Sequence, residues 1–132
     1  MKKVKVIIEK SKDGYSAYGE KTDGIWGMGD TVQQAKKSAL KSLKLFLENN
    51  QDKNIPKELK GDYQLIFKYD TQSFLSYYKG IFTNAALERM TGINQKQIQH
   101  YSSGLKKPRA AQTKKIEMAF HQLGTELLAV EL

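Results

Sequence analysis

Cysteine is absent from this chain of 132 residues, histidine and proline occur twice each, and tryptophan once. Without cysteine there are no disulfides, no cysteine-based zinc sites and no thiol catalysis. With His100 and His121 as the only histidines, metal chemistry is disfavoured too, and no cofactor is expected. No apolar run approaches the roughly 18 to 20 residues that a bilayer demands, so no membrane partner is expected. Met1-Lys2-Lys3 leads into alternating Val4-Lys5-Val6-Ile7-Ile8 rather than the unbroken apolar core and small-residue cleavage site of a signal peptide. The expected location is cytoplasmic.

What is abundant is positive charge, a formal net +8. Its placement matters more than its sum. From Lys79 to Lys115 there are eight basic residues against the single acid Glu88, whereas residues 1–70 carry 14 lysines, no arginine and 10 acids. The first stretch concentrates cationic charge; the second is an ordinary solvated surface.

Periodicity divides the chain in the same way. Val4–Glu9 alternates like a half-buried strand, Asp13-Gly14 supplies a turn, and a second strand follows over Tyr15–Glu20. A third, Ile25–Met28, lies between Asp23-Gly24 and Gly29-Asp30. Asp30 or Thr31 then caps a helix whose apolar positions Val32, Ala35, Ala39, Leu40, Leu43, Phe46 and Leu47 recur at three and four. Asn49-Asn50-Gln51-Asp52 ends it, and Tyr63–Tyr69 has strand composition. The fold class is α+β: a β-β-β-α-β domain over 1–70, then an all-α domain over 71–132.

In the second domain Thr83 caps a helix reaching Met90, Gly92 breaks it, and Asn94 caps another reaching Ser103 before Gly104. Pro108 forbids continuation. A last helix is expected from Ala110 to Leu123, stopped by Gly124, with Thr125–Leu132 as a tail of unsettled period, strand or loose helix. Leu87, Met90, Ile93, Ile98 and Tyr101 have the spacing to pin the two middle helices together across a glycine turn. The second helix would then expose Gln95, Lys96, Gln99 and His100, flanked by Asn94 and Gln97. Amide and basic groups of this kind pair with base edges in the major groove. Lys106, Lys107 and Arg109 follow at its end, placed for phosphates. Lys114 and Lys115 read as ordinary helix-surface charges.

Thr83 to Pro108 resembles the helix-turn-helix of phage-type repressors, whose motif ends in Gly followed by basic residues and Pro, as in Gly104-Leu-Lys-Lys-Pro108. The resemblance implies double-stranded DNA as a partner, base reading by Gln95, Lys96, Gln99 and His100, and a grip on the backbone at Thr83 and Asn84. Glu88 departs from the family, which usually has a small residue there.

Asp13-Gly-Tyr-Ser-Ala-Tyr18 and Gly29-Asp-Thr-Val-Gln-Gln-Ala35 resemble the N-terminal domain of HicB-type antitoxins, with Ile25-Trp26-Gly27-Met28 standing where many members have a Leu-Pro-Gly loop. That resemblance implies a truncated ribonuclease-H-like domain that blocks a HicA-like ribonuclease toxin, joined to a DNA-binding domain that represses the shared operon, in a non-enzyme. A nuclease of this fold would need clustered carboxylates for two metal ions. Glu9, Glu48 and Asp70 are the candidates, and each reads as a solubility or capping residue. Trp26, Tyr15 and Tyr18 are expected to pack in the sheet, becoming partner contacts where exposed. A homodimer or higher even-numbered oligomer is expected, because two half-sites are needed for useful specificity, with the C-terminal tail as the dimer contact. The competing reading keeps the DNA-binding domain and makes the first domain a small-molecule sensor; a deep apolar pocket would favour it.

Overall fold

The computed structural model describes all residues, Met1–Leu132. The chain divides into two compact units, Met1–Asp70 and Thr71–Leu132. The first is a mixed sheet with one helix in the order β-β-β-α-β; the second holds four helices.

In the first unit, β1 (Lys2–Ser11), β2 (Gly14–Gly19) and β3 (Trp26–Gly29) form an antiparallel meander, and β4 (Tyr63–Tyr69) adds parallel to β1, giving the order β3-β2-β1-β4. A parallel return requires a crossover, and α1 (Val32–Asn49) supplies it. The hairpin is tighter than expected: Gly14, at φ +136°, already pairs with Ser11, so Lys12-Asp13 forms the turn. Thr31 is the helix cap, its Oγ1 accepting from Gln34 N at 3.1 Å, while Gln34 Oε1 accepts from Asp30 N at 2.8 Å. At the other end Asn49 and Asn50 turn their side-chain amides back to donate to the carbonyls of Leu45 and Phe46, which satisfies carbonyls a helix end would leave open.

Register sorts the side chains. Val4, Val6 and Ile8 are buried, Ala17 lies opposite Ile8, and Gly27 lies opposite Ala17. A Cβ on Gly27 would sit 2.3 Å from Ala39 N, and one on Gly29 2.5 Å from Gln34 Cβ. The backbone of α1 therefore rests directly on β3, which only glycine allows. Toward β4 the helix keeps its distance, and Lys36 covers that half with its ammonium 4.5 Å from the ring centre of Phe67.

Alternation then forces Trp26 and Met28 to the opposite face. They are 57% and 56% exposed, which corrects the expectation that Trp26 packs in the sheet: glycines already occupy the inward positions of its strand. Tyr15 and Tyr18 are half-buried. Leu40, expected on the buried face of α1, is also largely exposed. The stripe that meets the sheet is Val32, Ala35, Ala39 and Leu43, and Leu40 falls beside it.

The second unit comprises α2 (Thr71–Tyr78), α3 (Asn84–Thr91), α4 (Gln95–Ser103) and α5 (Ala110–Leu128). Leu75, Leu87, Ile93, Ile98, Tyr101 and Ile116 form its core, with Phe74, Phe82, Met90 and Phe120 packed against it. Phe120 meets Phe74 and Phe82 edge-on, with ring centres 4.7 and 5.5 Å apart, a geometry that suits the quadrupoles of the rings. The helix expected to stop at Gly124 continues through it to Leu128, so the tail is no strand. A helical glycine costs only about 1 kcal/mol relative to alanine, and Gly124 keeps negative φ among helix formers. Thr125 Oγ1 also donates back to His121 O at 3.0 Å.

Candidate nucleic-acid interface

The turn between α3 and α4 is built from backbone chemistry. Gly92 ends α3 at φ +76°, its N–H donating to Glu88 O, a conformation that glycine adopts without a steric cost. Thr91 Oγ1 donates to Leu87 O and accepts from Ile93 N, and Ile93 enters the core. At the start of α4, Asn94 Oδ1 accepts from Lys96 N and Glu88 Oε1 accepts from Gln95 N, each at 2.8 Å.

Glu88 thus has a role that its departure from the repressor pattern concealed. Its carboxylate reaches from α3 to the N-terminus of α4, where an anion complements both the unpaired N–H and the helix dipole. Two buried residues of α4, Ile98 and Tyr101, anchor the inner face. Gly104 at φ +84° ends the helix.

The outer face is smaller than expected. Gln95, Lys96 and Gln99 are exposed, whereas Asn94 spends its side-chain oxygen on the cap. Gln97 is turned inward, its Nε2 donating to Tyr101 Oη at 3.0 Å; it lies one turn before that buried ring, and this corrects its place beside the outward group. His100 is half-buried, with Nδ1 enclosed and without a partner. Thr83 caps α3 through a 3.0 Å bond from Ala86 N to its Oγ1. Asn84 Nδ2 donates to Gln99 Oε1 at 2.9 Å.

Beyond Gly104 the chain carries Lys106, Lys107 and Arg109 at the surface. Neither of the chain's ion pairs, Lys60–Asp52 and Lys114–Glu117, involves them or Lys96. Their charge is therefore uncompensated, as a phosphate-binding strip requires.

Lys79 opens the basic stretch, and no motif gives it a role. Its Nζ lies 2.5 Å from Gln99 Oε1 and 3.5 Å from Ser102 Oγ. Helical periodicity could not find this pairing, because Lys79 stands in the loop after α2 and meets α4 twenty residues on.

The open face of the sheet carries the other candidate surface. Trp26, Tyr18, Ile7 and Lys68 occupy one register row across all four strands. Beside this row an open cleft of about 320 Å³ is lined by Ile7, Ile8, Glu9, Tyr18, Lys68, Tyr69 and Asp70. Tyr18 Oη donates to Glu9 Oε2 at 3.0 Å. That bond, then burial and the charges of Glu9 and Glu20, hold the phenol above its ordinary pKa. Glu48 and Asp70 are exposed, and no three histidines or carboxylates gather into a metal-holding group. No helix is long and apolar enough to cross a membrane.

Comparison with protein-family models, curated proteins and solved structures gives no match to this chain.

Proposed function

We propose that the second unit binds double-stranded DNA, with α4 in the major groove and the Lys106–Arg109 segment on the phosphates. The observation that carries this reading is the outer face of α4. Gln95, Lys96 and Gln99 stand exposed on a helix fixed at its N-terminus by Asn94 and Glu88, and unpaired cations follow directly after it. Donor- and acceptor-bearing side chains on a rigid helix supply base readout, and free cations supply the salt-dependent affinity. One unit reads only a few base pairs, so a symmetric dimer on two half-sites is the functional form. The outer surface of α5, where Met118 midway along the helix and Leu127 and Leu128 at its end are exposed, offers apolar surface for a second copy.

The first unit is a protein-binding module. Its exposed Trp26 and Met28 on an uncovered sheet face are the kind of aromatic and thioether anchors that interfaces favour. The cleft beside Tyr18 is open and carries Glu9, Lys68 and Asp70, unlike the deep apolar pocket of a small-molecule sensor. Together with the HicB-type resemblance, this supports an antitoxin and autorepressor, a non-enzyme that occludes a small ribonuclease toxin and represses its own operon.

The test is co-expression of the chain with its adjacent small reading frame, followed by affinity capture and size exclusion, with DNA from upstream of the pair titrated in parallel. Co-elution, relief of the neighbour's growth arrest and retention of upstream DNA over scrambled duplex are expected. Gln95→Ala or Lys96→Ala should weaken specific binding by about 1 to 3 kcal/mol for each bidentate base pairing removed. No complex would remove the antitoxin assignment, and equal binding to both duplexes would remove the repressor assignment.

A further inference from the structure

Gln99 is the only outward amide of α4 whose carbonyl oxygen is engaged by two donors, Lys79 Nζ and Asn84 Nδ2. A lysine ammonium has three N–H donors and no acceptor, so the Gln99 atom facing it must be the oxygen. Amide orientation, ordinarily ambiguous between O and N, is fixed here by chemistry. The same logic passes along the network. An oxygen at Gln99 requires the NH₂ of Asn84 to face it, and this leaves Asn84 Oδ1 enclosed without a partner. The outward end of Gln99 is then its NH₂, which can only donate.

We propose that Gln99 reads the major groove as a donor-only group and that Lys79 and Asn84 are the positioning residues that make it so. A free glutamine pairs with adenine through both ends of its amide, accepting from N6–H and donating to N7. With its oxygen held, Gln99 loses that pairing. It selects instead a base edge rich in acceptors, which guanine supplies through O6 and N7 and cytosine, with its N4–H₂ donor, does not. Lys79 itself need not touch a base to alter the sequence the helix prefers. This inference rests on the DNA-binding reading above.

The experiment is selection of duplexes from a randomised pool by the full chain, repeated with Gln99→Ala, Lys79→Met, Lys79→Arg and Asn84→Ala. Lys79 and Gln99 are exposed, and circular dichroism verifies that each variant folds. In the wild-type motif, the position whose preference vanishes in Gln99→Ala is expected to favour guanine over adenine by about fivefold or more, the scale on which a bidentate pairing discriminates. Lys79→Met and Asn84→Ala should shift that one position toward adenine, while Lys79→Arg, which still donates, should keep guanine. A selected motif with adenine at the Gln99 position, or one unmoved by Lys79→Met, would overturn the inference and leave DNA binding intact. A pool with no enriched motif would overturn both.

Discussion

The two units expose opposite kinds of surface, although each is built around a small apolar core. In Met1–Asp70 the uncovered sheet face presents a tryptophan and a methionine, and the surrounding charges are mixed in sign. In Thr71–Leu132 the outer face of α4 presents amides and a lysine, followed by cations without ion-pair partners. Both surfaces are by-products of how the inner face is satisfied. Glycines at 27 and 29 let α1 rest on the backbone of β3, so the large side chains of that strand have only the outside. Ile98 and Tyr101 fill the inner side of α4, so Gln95, Lys96 and Gln99 have only the outside. An apolar face suits a protein, and an amide and cationic face suits a nucleic acid.

This contrast can be broken at its foundations. Ile98→Ala removes a fully buried side chain and should cost about 2 to 5 kcal/mol. Denaturant unfolding with site-resolved amide exchange should place the loss in residues 71–132. Gly27→Ala is the counterpart in the first unit. Its Cβ would meet Ala39 N at 2.3 Å, and overpacking of this kind costs about 1 to 3 kcal/mol or more, read as faster exchange in β3 and α1.

Sharper tests act on single interactions. Glu88→Ala leaves the Gln95 N–H without its side-chain acceptor and should cost about 1 kcal/mol, the scale of a lost cap, with fraying confined to the start of α4. Trp26→Ser should change stability by less than about 0.5 kcal/mol, because the side chain is surface, while abolishing capture of the proposed protein partner. A large loss of stability would mean that the ring is packed after all. The smallest effect is a titration. Folding favours the protonated phenol of Tyr18, so the stability from its bond to Glu9 is present below the ordinary tyrosine pKa of 10.0 and is lost as pH rises through the higher folded value. Ultraviolet difference spectra should show the Tyr18 phenol titrating late, and Glu9→Gln should move it back toward the ordinary value.

Local signals in the sequence carried much of this architecture. Tyr63–Tyr69 and Gln95–Ser103 are readable to the residue, because strand composition in the first and a cap-to-glycine frame in the second mark both ends. Asn94 announces its helix for the same reason, whereas the start of α1 is legible only to Asp30 or Thr31. Where local signals misled, the deciding interaction came from elsewhere in the chain. Trp26 looked like core until the approach of α1 to Gly27 turned its strand over. Gln97 looked outward until Tyr101 claimed its amide. Gly124 looked like a stop, yet its cost is small against the helix formers around it. Lys79 and Glu88, the two residues that orient α4 and its side chains, act across loops that no period describes.

The central claim is that α4 is a DNA-reading helix, and the most direct test is backbone NMR of the full chain titrated with a duplex selected from a random pool. Shift perturbations should concentrate at Thr83, Asn84, Gln95, Lys96, Gln99 and Lys106–Arg109 and leave Trp26 and Met28 unmoved. Perturbations confined to the first unit, or none at saturating duplex, would contradict it.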